Sequence, residues 1–207
     1  MQTETDNFTE EDSMDVSVLG RRSFLGWISA AACGVVFSVR EAKAARFYST
    51  KPVAGIPQAW VDKQGLDVLR YANYIKALGL KHITPYKVLY PHFNVRGRTS
   101  NSIPPKYLWK NIADTLKVLD AMSGYMKTTP KNFISVYRSP TYNRAVRGRT
   151  KSLHLVNNAC DVQFNGVNSW NVTKVAKRFR TAGHFKGGVG HYSSFTHVDT
   201  RGHNATW

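Results

Sequence analysis

The amino-acid sequence predicts an α+β fold in which a largely antiparallel sheet packs against helices, in a single domain preceded by a helical and irregular segment. Three observations predict it. Helical periodicity comes first along the chain, four strand-like runs follow, and only one further helical stretch interrupts those strands, an order that disfavours a βαβ repeat. An apolar fraction of 42% over 207 residues suffices for one core.

Residues 45–65 read as irregular, with Pro52, Gly55 and Pro57 spaced as in a surface segment. From Leu66 to Leu78, apolar Leu69, Ala72, Ile75 and Leu78 recur at three-residue steps, and Gly79 is placed as a stop. Residues 83–104 show little periodicity and are expected as a long loop. A second helix, opened by Ser102 and Pro104-Pro105, carries Leu108, Ile112, Leu116 and Leu119 on one stripe before Gly124. Phe133–Tyr137, Ala159–Phe164, Gly188–Tyr192 and Phe195–Asp199 are strand-like, and a third helix, Val172–Ala182, lies between the two pairs. The expected division is a leader at 1–44, a helical and loop segment at 45–101, and a sheet-bearing domain at 102–207.

Charge is uneven. The chain has 29 Lys and Arg against 13 Asp and Glu, a net charge of +16. Seven of the acidic residues and only four of the basic ones precede residue 45, so the remainder carries +19 and contains no glutamate. Any carboxylate chemistry there uses one of six aspartates: Asp62, Asp67, Asp114, Asp120, Asp161 or Asp199. Such a basic chain calls for an anionic partner or surface.

The amino terminus reads as an export signal. Arg21-Arg22-Ser23-Phe24-Leu25 is similar to the twin-arginine type, a short apolar run extends to Val39, and Ala42-Lys43-Ala44 suits a signal peptidase. A membrane anchor would need about 20 apolar residues, and Ser and Gly interrupt this run. Ala31-Ala32-Cys33-Gly34 offers a lipidation site, though Ala30 stands where leucine is usual. Cleavage after Ala44 leaves Cys160 as the one cysteine, so no internal disulfide can form. It reads as a small core residue.

Most of the seven histidines are isolated, but His154 and Asp161 flank a short turn-prone segment that runs into an apolar strand. A carboxylate entering a core needs a partner, and a metal ion is one of the few that offset its desolvation. His197 and Asp199, two apart on a strand, project to the same side. Two histidines and one aspartate suit catalytic zinc with a fourth position open. From spacing alone the alternative stays open that Asp161 is satisfied by backbone donors or by Arg138.

Ser152-Leu153-His154-Leu155-Val156-Asn157-Asn158-Ala159-Cys160-Asp161 resembles the SxHxxGxAxD motif of the zinc D-alanyl-D-alanine peptidases, and Phe195-Thr196-His197-Val198-Asp199 resembles their later HxD segment. Tyr137-Arg138-Ser139-Pro140-Thr141-Tyr142-Asn143 is similar to the YRSPxYN stretch before the first motif. Gly187-Gly188-Val189-Gly190-His191-Tyr192 is similar to the glycine-rich strand before the second. The resemblance spans about residues 102–207 and is nearest to exported murein peptidases. It implies one zinc per chain on His154, Asp161 and His197, contacts to a peptidoglycan peptide from Ser152, Tyr137 and Asn143, and a role for Arg138 in stabilising the oxyanion or gripping a substrate carboxylate.

Two departures stand out. Asn157 replaces the family glycine, and asparagine is the residue after glycine that best tolerates positive φ. Ser194 stands where several relatives carry a Glu or Asp base, a role serine cannot take. By elimination the expected base is Asp199, followed by His191 and His184, with the orientation of a ligand histidine as the other role for Asp199. Two further readings of a basic, aromatic-rich chain are a nucleic-acid binder and a non-catalytic wall-binding protein that keeps the fold. The export signal and the lack of a nucleic-acid module argue against nucleic acid, and no stable membrane insertion is expected once the signal is removed.

Overall fold

A computed structural model describes residues 56–207. The expected export signal, Cys33 and the beginning of the irregular stretch, through residue 55, lie outside the described residues. Helices α1 (Gln58–Gln64) and α2 (Asp67–Ala77) come first. Residues 58–64, expected as irregular, are thus helical: Trp60 and Val61 are buried, and the Trp60 ring meets Phe93 edge-on. On α2 the buried residues are Val68, Tyr71, Ala72 and Ile75. Ala72 and Ile75 of the expected stripe are thus inside, whereas Leu69 and Leu78 are only partly buried and Val68 and Tyr71 join the buried face.

Residues 83–104 are not one long loop. They hold α3 (Pro85–Leu89), a 3-10 turn at Tyr90–Phe93, and a hairpin of β1 (Val95–Arg96) with β2 (Thr99–Ser100). Helix α3 opens with Thr84 as N-cap and Pro85 in its first turn, where the missing N–H costs nothing. These pieces are too short to show a period, and Val88, Leu89 and Pro91 are buried as neighbours rather than at helical steps.

The next helical stretch begins as a 3-10 segment, Lys106–Ile112, and continues as α4 (Ala113–Met126). It runs through Gly124, the expected stop, and ends at Lys127 in the left-handed conformation (φ 53°). Gly124 packs against His82, whose ring would lie 3.3 Å from an added Cβ. After β3 (Pro130–Ser135) comes a short helix that periodicity could not show, α5 (Pro140–Ala145), capped by Ser139. Strand β4 (Ala159–Phe164), helix α6 (Ser169–Thr181), β5 (Gly188–His191), β6 (Thr196–Asp199) and β7 (Ala205–Thr206) complete the fold.

The main sheet has the order β3-β4-β6-β5-β7, antiparallel throughout except for the parallel β5–β7 pair. Helices α4 and α6 pack on it. Cys160, Val162 and Phe164 on β4, Val189 on β5 and Val198 on β6 join one core with Tyr71, Leu89, Leu116, Leu119 and Val172. Side chains alternate along a strand, so the intervening Asp161, His197 and Asp199 stand on the opposite face. The β4–β6 register places Asp161 directly across from His197 and Ala159 across from Asp199. Among the described residues no helix is long and apolar enough to cross a membrane.

Candidate metal centre

His154 comes from a 3-10 turn, Leu153–Val156, that leads into β4. The turn is capped at one end by Ser152, whose hydroxyl accepts from His154 N, and closed at the other by Asn157 in the left-handed conformation (φ 54°). Asn157 therefore adopts the left-handed backbone that a glycine adopts readily. Its side chain adds contacts that glycine lacks: Nδ2 donates to the Leu108 carbonyl (3.1 Å) and meets the buried Tyr71 hydroxyl (3.3 Å). The turn is thereby tied to α2 and to the segment ahead of α4.

His154, Asp161 and His197 are all buried, and one potential ligand atom from each lies within 4.8 Å of the others. The imidazole Nδ1 of His154 donates to the Val136 carbonyl at 2.5 Å. A carbonyl can only accept, so Nδ1 carries the hydrogen and Nε2 of the neutral ring is a bare lone pair. Burial lowers the His154 pKa against the opposing charge of Asp161, which keeps the ring neutral. Yet among the described residues Nε2 has no hydrogen-bond partner, and it stands 3.2 Å from Asp161 Oδ2, acceptor facing acceptor. A cation between them removes that conflict. Two imidazoles and a carboxylate make a donor set for zinc or a similar borderline ion, so the residues fit a metal.

Asp161 also meets His197 Nδ1 through Oδ1 (2.8 Å) and accepts from Arg138 through Oδ2 (2.7 Å). Burial would raise its pKa, but the hydrogen bond from His197 opposes burial, and the carboxyl is held well below the usual range. The ion pair with Arg138, an alternative to a metal when spacing alone is considered, is formed beside the donor cluster. A carboxylate has about four lone-pair sites, so the ion pair leaves lone pairs on Asp161 that a metal ion could use. Arg138 is fixed a second time, by donation from Nε to Ser135 Oγ (2.7 Å).

On the other side of His197, Nε2 faces Asp199 Oδ2 at 3.1 Å. For His197 burial is again outweighed, here by two carboxylates, and its pKa is raised. Asp199 has no solvent exposure. Its Oδ1 accepts from Gly188 N (2.9 Å), Arg201 N (3.2 Å) and Arg201 Nε (2.8 Å), and Oδ2 accepts from an Arg201 terminal nitrogen (2.5 Å). These bonds overcome burial and hold its pKa far down. The glycine-rich strand is explained here: a Cβ on Gly188 would lie 2.3 Å from Asp199 Oδ2, and one on Gly190 2.5 Å from the Trp207 indole nitrogen.

The centre lies on the wall of an open cleft of about 400 Å³ lined also by Arg138, Arg147, Arg149, Lys151, Ser152, Tyr192, Phe195, Arg201 and Trp207. Several expectations change. Asp199 is not on the cleft wall and its oxygens are occupied, so its position does not fit the general-base role expected by elimination. Its contacts are those of a residue orienting His197. His191 and His184 also lie off the wall. Of the residues expected to touch substrate, Ser152 lines the cleft, whereas Tyr137 is buried with its ring stacked on His92 and Asn143 is buried beneath the 147–149 turn. Arg201 and Trp207 belong to the site although they carry no motif signal. The Trp207 ring sits 5.1 Å from that of His197, and Arg201 lies over the indole. An arginine two residues beyond Asp199, at a strand exit, is the one hint that the sequence offers.

One histidine from a turn and an aspartate and a histidine from paired strands thus form a group that could hold a metal ion. A family model described as Peptidase M15 matches residues 93–199, and the chain belongs to that family. No curated protein matches it.

Proposed function

We propose that the chain is an exported zinc metallopeptidase that hydrolyses peptide bonds in peptidoglycan stem peptides or crosslinks. The observation that carries this reading is the bare Nε2 of His154 facing Asp161 beside His197 in an open cleft. His154, Asp161 and His197 would hold the ion, and zinc there would activate a water and polarise the scissile carbonyl.

The chain's own residues do the rest. Val136 fixes the His154 tautomer through its carbonyl, and Asp199, clamped by Arg201, orients His197; such partners sharpen both geometry and ligand basicity. Arg138 spends two donors on Ser135 and Asp161. Its three remaining N–H groups can bond a carbonyl oxygen as negative charge develops there. Tyr192, Phe195 and Trp207 supply apolar wall against which a peptide backbone can lie.

The test is mass spectrometry of zinc-loaded protein incubated with defined crosslinked and uncrosslinked muropeptides. Cleaved product that disappears on chelation supports the proposal. Binding without cleavage would make the protein a wall-binding module, and affinity for nucleic acid with neither would overturn both. Export is tested separately: Arg21 and Arg22 both changed to Lys should retain the protein inside the cell, and the exported form should begin near Ala45.

A further inference from the structure

The cleft wall is strongly cationic. Arg138, Arg147, Arg149, Lys151 and Arg201 line it, and Asp161 is its one acid among the described residues. Arg138 and Arg201 are ion-paired with Asp161 and Asp199. Arg147, Arg149 and Lys151 are exposed and form no ion pair among the described residues. A surface would normally scatter such charges; here three fall within five residues beside the metal-binding group.

The turn that carries them is built. Arg147 sits in the left-handed region at φ 56°, a conformation that costs a residue with a Cβ of order 1 kcal/mol and persists where neighbours hold it. Asn143 is what holds it. Its carbonyl accepts from Gly148 N (2.8 Å) and its side-chain Nδ2 donates to the Arg149 carbonyl (3.1 Å). Position 148 must be glycine for a reason of space: an added Cβ would lie 2.0 Å from Asn143 Oδ1. Ser152 N then bonds the Arg149 carbonyl, joining the turn to the His154 segment. A buried asparagine thus fixes a basic turn to the same short stretch of chain that supplies the first histidine.

We propose that Arg147, Arg149 and Lys151 form a docking site for the free carboxylates of an acidic peptide, so that the protein selects substrates with unamidated side-chain carboxyls. This rests on the peptidase reading above, because it supplies the substrate class for the same cleft. Asn143 is a positioning residue for the site. Each exposed pair contributes modestly in water, so three together give a preference of about tenfold, weakened by salt.

The experiment measures binding of two short product-type peptides to the zinc-loaded full chain, one with free side-chain carboxyls and a twin with carboxamides. The acid form should bind about tenfold more tightly at low salt, and the difference should shrink by about 0.5 M NaCl. R147Q/R149Q/K151Q should abolish the preference, and N143A should reduce it. K174Q/K177Q on α6, outside the cleft, should retain it. Equal binding of the two peptides to the native protein, or a preference that survives the triple substitution, overturns the inference. Hydrolysis is scored on matched crosslinked peptides: cleavage of both without preference rejects the docking site alone, whereas tight, turn-dependent binding without any cleavage rejects the peptidase reading and leaves the docking site standing.

Discussion

His154 Nε2 and Asp161 Oδ2 stand 3.2 Å apart, both buried and both acceptors, with the only hydrogen on the His154 ring committed to Val136. An arrangement of this kind is costly unless a cation completes it. Around that pair lie the ion pair to Arg138, the bond from His197 and, beyond His197, the clamp that Arg201 places on Asp199.

Asp199→Asn separates orientation from proton transfer. Because both oxygens of Asp199 are already bonded and neither faces the cleft, the substitution should weaken zinc affinity by about 10–100-fold, with turnover recovered at high zinc. Zinc titration followed by turnover at saturation checks this. Unchanged affinity with turnover lower by about 10²–10⁴ would return the base role to Asp199.

Native stability should fall as pH is lowered from about 6.5 toward 4. His92 is fully buried, and burial lowers its pKa from 6.5 to about 4 despite a bond to the Leu89 carbonyl. Between those values the unfolded chain binds a proton that the native state refuses. The group therefore costs nothing above the unfolded pKa and progressively more below it. By about pH 4.5 the loss from His92 is about 2 kcal/mol. The carboxyls of Asp161 and Asp199, held low, add losses only below their unfolded values near 3.8. His154 acts in the same direction as His92, and His197, whose pKa is raised, acts in the opposite direction until it is fully protonated in both states below about pH 6, so His92→Asn and His92→Phe should each flatten the slope without removing it. Guanidinium midpoints at about pH 7 and pH 4.5 measure it, and an unchanged slope in both variants would remove His92 as its source.

Asn157→Gly keeps the left-handed backbone accessible but should destabilise the protein by about 1 kcal/mol, because the bonds to Leu108 and Tyr71 are lost. Asn157→Ala should cost more, since alanine loses the same bonds and also disfavours φ 54°. Thermal unfolding of the pair gives the order. A glycine variant more stable than the native chain would show that those side-chain bonds contribute nothing.

Much of the fold and the donor set is legible in the sequence. Strands β4, β5 and β6 announce themselves by apolar alternation, and the same alternation places Asp161 opposite the core. Pairing Asp161 with His197 requires the family resemblance, since no local pattern states which strands are neighbours. What stays hidden has physical causes. Helices α3 and α5 are five and six residues long, below the length at which a period shows. Tyr137 and Asn143 sit in a motif that looks like substrate contact, but burial turns them toward His92 and the 147–149 turn. Arg201 and Trp207 reach the site around strand β7, whose two residues have no pattern of their own. Elimination singles out Asp199 among the aspartates, but it carries no information about which oxygens are already bonded.

His154, Asp161 and His197 should together hold one zinc. Elemental analysis of purified protein after zinc loading and removal of free metal tests it most directly, on the native chain and on His154→Ala and His197→Ala. About one zinc per native chain and near-complete loss in either variant are expected, since three protein ligands are the usual minimum for a catalytic site. Full zinc occupancy in His197→Ala, or none in the folded native protein, would contradict it.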